Sequence, residues 1–171
     1  MKIRKIHIIG GPGSGKTYYA CLLSEKLKIK DYDLDGIYWD NSADRYGVRA
    51  DERKRDTALK KILKNKSWII EGVYYEWVLE SFKQADLIMV LRPGVLLRAW
   101  RIIARYIARK TGAAKSEKKE TIKGLFRLLK WNISYDDINL EAALEVLERK
   151  GIKYNVFCNG REVKQFISGI K

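Results

Sequence analysis

A chain of 171 residues with 46% hydrophobic side chains suits one compact domain with a full core, and a second independent domain would be cramped. No apolar run approaches the roughly 20 residues that span a bilayer, and the segment before residue 10 is too short and too often charged for a secretory signal. We therefore expect a single domain over residues 1–171 that stays in the cytoplasm and has no membrane partner. Cys21 and Cys158 fit no metal-ligand spacing and are expected to be free, buried thiols.

The formal charge of +14 is concentrated in one segment. Residues 92–131 hold 12 Lys and Arg against Glu117 and Glu120, a net charge of +10. Residues 132–149, by contrast, hold five acids and one base. A segment this basic is suited to a triphosphate, a nucleic acid or an anionic membrane surface.

The first predicted elements are a strand over residues 4–9, a glycine-rich turn and a helix over residues 16–28. The turn fits the pattern G-x-x-x-x-G-K-[ST] with Gly10, Gly15, Lys16 and Thr17. The pattern is specific when a buried strand precedes it and a helix follows it, as here. It predicts a phosphate-binding loop.

The residue types of this turn explain its chemistry. Gly13 and Gly15 permit positive φ, so that consecutive N–H groups can converge on an anion at a helix N-terminus. Lys16 would reach the β- and γ-phosphates, and Thr17 would place its hydroxyl on Mg²⁺. The predicted nucleotide-binding residues of the loop are Gly11, Gly13, Ser14, Gly15, Lys16 and Thr17.

The rest of the chain alternates strands with helices. The predicted strands cover residues 31–34, 67–70, 86–91 and 152–158. The predicted helices cover residues 50–65, 74–83, 93 to about 110, 120–133, 139–150 and 161–167. Because strands alternate with helices and the segments 67–70 and 86–91 are almost wholly apolar, the pattern predicts an α/β fold with a parallel sheet covered by helices on both faces.

Polar residues follow several of these strands, and ligands bind at the carboxyl ends of parallel strands. Gly10, Asp35, Glu71 and Arg92 are therefore expected on one rim. We favour Glu71 as the carboxylate that holds Mg²⁺ or orients an attacking hydroxyl, over Asp86, which begins its strand. Asp35 could accept from a hydroxyl or amine of the substrate, with turn capping as the alternative.

The helix after residue 93 carries two opposite stripes. One is basic and the other apolar: Arg98, Arg101, Arg105 and Arg109, against Leu96, Trp100, Ile103 and Ile107. The basic stripe contains no acid, and arginine forks suit phosphate oxygens because they bind in two places and stay charged. We expect at least two of the four arginines to contact phosphate; surface charge and nucleic-acid contact are the alternatives.

The chain resembles the adenylate-kinase-like branch of phosphate-loop kinases, and most closely the bacterial DNA topology modulation proteins. The resemblance covers nearly the whole chain and is carried by residues 8–17, 32–39 (YDLDGIYW), 67–77 (SWIIEGVYYEW), 85–91 and the arginine helix leading into 122–131. One departure stands out. Adenylate kinases have Asp-Gly-Phe-Pro-Arg after the third strand, whereas this chain has Glu71-Gly72-Val73-Tyr74-Tyr75, so the arginine that grips the acceptor nucleotide is absent.

The resemblance implies a phosphate-loop NTPase fold: three α/β/α layers, a five-stranded parallel sheet and a short helical lid around residues 109–120. It also implies ATP as donor and a region around residues 40–65 that closes on the acceptor. Arg101 and Arg105 match the pair that enters the lid, and Arg161 falls where the family packs adenine. Arg109, at the start of the lid, is expected to contact the acceptor.

Two functions compete on these grounds. The leading hypothesis is a kinase that uses ATP and Mg²⁺ to phosphorylate a small molecule or a nucleotide, with Lys16, Glu71, Arg101 and Arg105 as catalytic residues. The second is a nucleic-acid-binding regulator of DNA topology that uses ATP as a switch. Neither hypothesis fixes the acceptor or the oligomeric state.

Overall fold

The computed structural model describes residues 3–40, 48–113 and 121–170. The strands are β1 Lys5–Gly10, β2 Asp31–Asp33, β3 Trp68–Gly72, β4 Leu87–Leu91 and β5 Asn155–Phe157. The helices are α1 Lys16–Leu27, α2 Asp35–Tyr38, α3 Glu52–Leu63, α4 Leu79–Gln84, α5 Val95–Lys110, α6 Ile122–Tyr135, α7 Glu141–Arg149 and α8 Gly160–Gly169. A π-helical turn, Asp136–Leu140, joins α6 to α7.

The five strands form one parallel sheet in the order β2-β3-β1-β4-β5. Every residue of β3 and β4 is buried, which is why residues 68–70 and 87–91 read as unbroken apolar runs; Glu71 is the one charged residue in these two strands. In the register of the sheet, Glu71 lies opposite Ile8 on one side and Asp33 on the other. The carboxyl ends of β1, β2 and β3 therefore meet at one rim.

Helices cover both faces of the sheet. One face packs apolar residues of α1 and α8, including Leu23 and Ile167, against the sheet. The other face packs residues of α3, α4, α6 and α7, including Phe82 and Leu147. The predicted three-layer α/β/α fold with a five-stranded parallel sheet is confirmed.

Two helix boundaries differ from the prediction. Helix α4 begins at Leu79 and not near residue 74, because Tyr74 and Trp77 turn away to stack with Tyr38. The expected break before Asn139 is absent, since α6 runs through the π-helical turn into α7. The sequence pattern alone gave no sign of that turn.

The apolar stripe of α5 faces outward. Leu96 is 83% exposed and Trp100 is 65% exposed, while Arg98 on the basic stripe is fully buried. Cys21 and Cys158 are free, as expected, but exposed and not buried.

Parts of two predicted regions lie outside the described residues: 41–47 of the acceptor-side region and 114–120 of the lid. The single-domain organisation and both regions remain predictions. None of the helices within 3–40, 48–113 and 121–170 is both long and apolar enough to cross a bilayer.

Candidate active site

The phosphate loop follows β1 and ends at the first turn of α1. Gly13 has φ of 74° and Gly15 has φ of 98°, the left-handed region that favours glycine. The amide of Ser14 donates to the carbonyl of Gly11 at 3.2 Å, which closes the turn. Gly15 is the N-cap of α1 and supplies no side chain, so the first amides of the helix are open to an anionic ligand.

The side chain of Lys16 folds back over this loop. Its Nζ donates to the carbonyl of Gly11 at 3.1 Å. Burial lowers the pKa of Lys16, while the nearby carboxylates of Glu71 and Asp35 act in the opposite direction and Arg105 lowers it further. The Lys16 ammonium therefore lies near Glu71, Asp35 and Arg105, which are all predicted site residues.

Thr17 and Glu71 face each other across the start of α1 and the end of β3. Thr17 Oγ1 donates to Glu71 Oε1 at 2.5 Å. Burial raises the pKa of Glu71, against the opposing effect of Lys16. The rejected candidate, Asp86, lies at the amino end of β4, where its Oδ2 accepts from the amides of Arg4 and Lys5 at 2.8 and 2.9 Å.

Oxygens of a hydroxyl and a carboxylate are the hard donors that Mg²⁺ prefers. Thr17 and Glu71 present such a pair beside the loop, so their chemistry fits the predicted metal. No group of three or more His, Cys, Asp or Glu side chains that could hold a metal ion occurs among the residues that the structure describes.

Arg98 supports the loop from below and does not line the cavity. Its Nη1 donates to Asp136 Oδ1 at 2.6 Å and its Nη2 donates to the carbonyl of Asn132 at 3.3 Å. A Cβ at Gly11 would clash with Arg98 Nη1, so the guanidinium lies directly against the loop. Arg98 is therefore a buried residue beneath the loop and is not exposed to the cavity.

The other three arginines of α5 line the cavity above the loop. Arg101 Nη1 donates to the carbonyls of Gly13 and Ser14 at 3.2 and 3.3 Å. Arg105 and Arg109 follow on the same side of the helix. Of the four arginines in the basic stripe, Arg98 therefore supports the loop and the other three line the cavity.

The cavity has a volume of about 1630 Å³ and joins the loop to a second wall that carries Asp33 and Asp35. Tyr74 Oη donates to Asp35 Oδ1 at 2.6 Å, and the amide of Asp35 donates to Asp33 Oδ1 at 2.8 Å. Burial, together with the neighbouring Asp35 carboxylate, raises the pKa of Tyr74, so the phenol remains a donor. Both acids thus have local partners and lie within the same cavity as Lys16 and Glu71.

An aromatic wall that the sequence analysis did not predict faces this cavity. Tyr38 stacks on Tyr74 with ring centroids 4.4 Å apart, and Trp77 lies 5.3 Å from Tyr74. The Arg55 guanidinium lies over the Trp77 ring at 4.7 Å, and Arg49 over Tyr38 at 5.7 Å. The clustering of Tyr and Trp residues after β2 and β3 was the feature of the sequence from which this wall could have been predicted.

A second, smaller cavity of about 840 Å³ opens on the other side of Arg101. Gly15, Tyr18 and Tyr19 line it from α1, and Gly160, Arg161 and Lys164 line it from α8. It adjoins the loop, and Arg161, the residue that the resemblance places at adenine, belongs to its wall.

Known proteins share this architecture. The AAA domain family matches residues 6–123. A protein of Thermococcus gammatolerans named "Putative adenylate kinase" is 27% identical over 164 residues, which cover 88% of this chain and 89% of that protein.

Two solved structures have the same fold. The shikimate kinase from Acinetobacter baumannii, in complex with shikimate, aligns with a TM-score of 0.60 at 18% identity over 98% of this chain and 90% of that one. The shikimate kinase from Bacteroides thetaiotaomicron aligns with a TM-score of 0.57 at 14% identity over 97% and 95%. The family match spans the loop, Glu71 and the arginine helix; this chain therefore belongs to the AAA domain family.

Proposed function

We propose that this chain is an ATP-dependent kinase that transfers the γ-phosphoryl group to a small-molecule or nucleotide acceptor. The observation that carries the proposal is one cavity that joins the phosphate loop, Lys16 and the Thr17–Glu71 pair to a wall with two carboxylates. A protein that only bound nucleotide would not need the second wall. The likeness to proteins named as adenylate and shikimate kinases supports the same reaction class.

In this reaction the acceptor hydroxyl oxygen forms a bond to the γ-phosphorus, and the bond from that phosphorus to the bridging oxygen of ADP breaks. The hydroxyl proton passes to a carboxylate, for which we propose Asp35. Tyr74 holds Asp35 by one oxygen, so its orientation is fixed before the acceptor binds.

Charge that develops on the phosphoryl group is offset by the chain's own donors. The loop amides, Lys16 and Arg105 supply fixed positive charge at that point, and Arg101 holds the carbonyl side of the loop so that its amides face inward. Thr17 and Glu71 would hold Mg²⁺, which when bound would neutralise part of the phosphate charge. Arg109, farther along α5, is proposed to contact the acceptor.

The donor base is proposed to occupy the smaller cavity beside Arg161. The tyrosine rings of Tyr18 and Tyr19 and the backbone at Gly160 give that cavity flat, apolar surfaces next to the loop. A Cβ at Gly160 would come within 2.7 Å of Tyr19 Oη, so the backbone at Gly160 lies directly against the Tyr19 ring.

The test is a search for product in two steps. Thermal-shift measurements with a non-hydrolysable ATP analogue and Mg²⁺ identify metabolites and nucleotides that raise the apparent stability, because a ligand that binds the folded form stabilises it. Mass spectrometry with ATP then detects the phosphorylated product. ATP binding without product over both compound classes would overturn the kinase.

The alternative, an ATP-switched nucleic-acid-binding regulator of DNA topology, draws on the same arginines. Arg101, Arg105 and Arg109 line the cavity, and Arg98 is buried, so no observation on the described residues favours this function over the kinase. It predicts duplex DNA binding that weakens steeply with salt. Absence of binding at low salt would remove it.

A further inference from the structure

The outer side of α5 carries an apolar seam with the spacing of a coiled coil. Leu96, Trp100, Ile103 and Ile107 follow at intervals of four, three and four residues, which places them on one side of the helix. Leu96 and Trp100 are among the most exposed large apolar residues of the described chain. The seam faces away from the loop that Arg101 contacts.

Helix α6 repeats the pattern. Ile122, Phe126, Leu129 and Ile133 follow at the same intervals of four, three and four residues. Phe126 is 66% exposed and Ile133 is 68% exposed. Two successive helices therefore each carry a seam of the kind that packs against another helix.

The two helices are held together as an antiparallel hairpin. Asn132 Nδ2, near the end of α6, donates to the carbonyl of Val95, at the start of α5, at 3.2 Å. Leu96 and Ile133 are the sequence neighbours of these two residues, so the seams lie side by side at this end. The hairpin thus presents two adjacent apolar seams.

The area of this surface matches one half of a protein interface. Six of the eleven large exposed apolar residues of the described chain lie on the two seams, each at least 53% exposed. Since a large side chain can bury roughly 150–250 Å², they present on the order of 800 Å². This exceeds the about 300–600 Å² of the largest patch on a typical monomer and equals the about 800 Å² per partner of a standard interface.

The arginine side chains of α5 lie away from its apolar seam. The four arginines of α5 lie on its opposite side, where Arg98 is buried on Asp136 and the other three line the cavity. The seam of α5 is therefore almost uncharged. An apolar helical partner fits the α5 seam, and on α6 the basic residues Lys123, Arg127 and Lys130 flank the seam without interrupting it.

We propose that two copies of this chain pair through the α5 and α6 seams, so that the two hairpins form a four-helix interface around a two-fold axis. A two-fold interface brings the same surface of each copy together, and both copies carry both seams. Helices with seams of this spacing pack as in a four-helix bundle. The pairing buries the outer side of α5, the same helix that brings Arg101 to the phosphate loop.

Analytical ultracentrifugation of the full chain tests the proposal. We expect a particle of twice 19.9 kDa that dissociates on dilution. Trp100→Glu and Ile133→Glu place a charge in each seam and are expected to raise the dimer dissociation constant at least about 30-fold, as for a central hot spot. Trp100→Ala is expected to weaken the dimer in the same direction with less risk to the fold.

The matched control is Ile138→Glu. Ile138 is 63% exposed, close to the 68% of Ile133, but lies five residues beyond it and off the seam spacing. We expect this variant to dimerise as the parent does, with circular dichroism showing that all variants are folded. A parent that stays at 19.9 kDa would overturn the proposal. So would a dimer that survives both seam variants, or a monomer that instead binds phosphatidylglycerol vesicles through Trp100.

Discussion

Thr17 and Glu71 lie 54 positions apart in the chain and meet through a hydrogen bond of 2.5 Å. The contact joins the first turn of α1 to the carboxyl end of β3, beside the phosphate loop. It places a hydroxyl and a carboxylate together at the point where the proposed reaction needs a metal ion.

Glu71→Gln removes the charge at this point while its amide oxygen can still accept from Thr17. We expect the magnesium-dependent turnover of the kinase to fall roughly 10²–10³-fold, the scale of losing one preorganised electrostatic contact. ATP binding measured without metal is expected to change little. Glu80→Gln is the control, since Glu80 lies on α4 and is exposed. Equal turnover in the Glu71 variant and the parent would remove Glu71 from the site.

Arg98→Met tests the support beneath the loop. The variant leaves Asp136 without its closest cationic partner, and breaking a buried ion pair from one side costs about 3–5 kcal/mol. Denaturant unfolding measures the loss, and Arg127→Met on exposed α6 surface is the control. A double variant with Asp136→Leu is expected to lose less than the two single losses combined. Stability equal to the parent in Arg98→Met would show that the pair does not support the fold.

His7 makes the stability depend on pH. Burial lowers the pKa of His7 from 6.5 to about 3, and the imidazole packs on Phe82 and hydrogen-bonds to Ser81. Between these values the unfolded chain binds a proton that the folded chain does not. The free energy of unfolding is therefore expected to fall with decreasing pH by about 1.4 kcal/mol per unit, on the order of 5 kcal/mol from pH 6.5 to 3.

His7→Gln isolates this contribution, because it keeps a polar group for Ser81 and does not titrate. In denaturant unfolding, the free energy of unfolding of the parent minus that of the variant is expected to fall steadily as the pH decreases below 6.5. A difference independent of pH would show that His7 is not the group that titrates.

Tyr74→Phe tests the orientation of Asp35. Without the phenol, Asp35 loses a hydrogen bond of 2.6 Å, and a bond to a charged group contributes about 1.5–3 kcal/mol. We expect the efficiency toward the acceptor to fall roughly tenfold or more while ATP binding is retained. Tyr75→Phe, in the same cavity wall, is the matched control. An equal loss of efficiency in both variants would mean that the effect comes from any change in the cavity wall and not from the hydrogen bond to Asp35.

Local signals predicted the sheet and the loop well. The phosphate loop depends on glycine positions within one short segment, and β3 and β4 are buried along their whole length, so each could be read without distant contacts. The rim position of Glu71 followed from its place at the end of a predicted parallel strand. Its direct bond to Thr17 did not, since it depends on how two distant elements pack.

Helix α5 shows where the sequence pattern was insufficient. Its two stripes were identified, but the pattern does not say which stripe is buried. Arg98 is buried because Asp136, 38 positions away, and the carbonyl of Asn132 satisfy its guanidinium. Leu96 remains exposed for the same reason, because α5 turns its basic side toward the loop. The start of α4 was missed because tertiary stacking of Tyr74 and Trp77 overrides local helix propensity.

Isothermal titration of ATP with Mg²⁺ into the parent, Lys16→Ala and Lys83→Ala tests the central claim most directly. Lys16 reaches over the loop, whereas Lys83 is half-exposed on α4 and pairs with Glu80. Because a hydrogen bond to a charged group contributes about 1.5–3 kcal/mol, the dissociation constant is expected to rise roughly 10- to 100-fold in the Lys16 variant and to be unchanged in the Lys83 variant. Equal affinity in Lys16→Ala and the parent would contradict a triphosphate site at this loop.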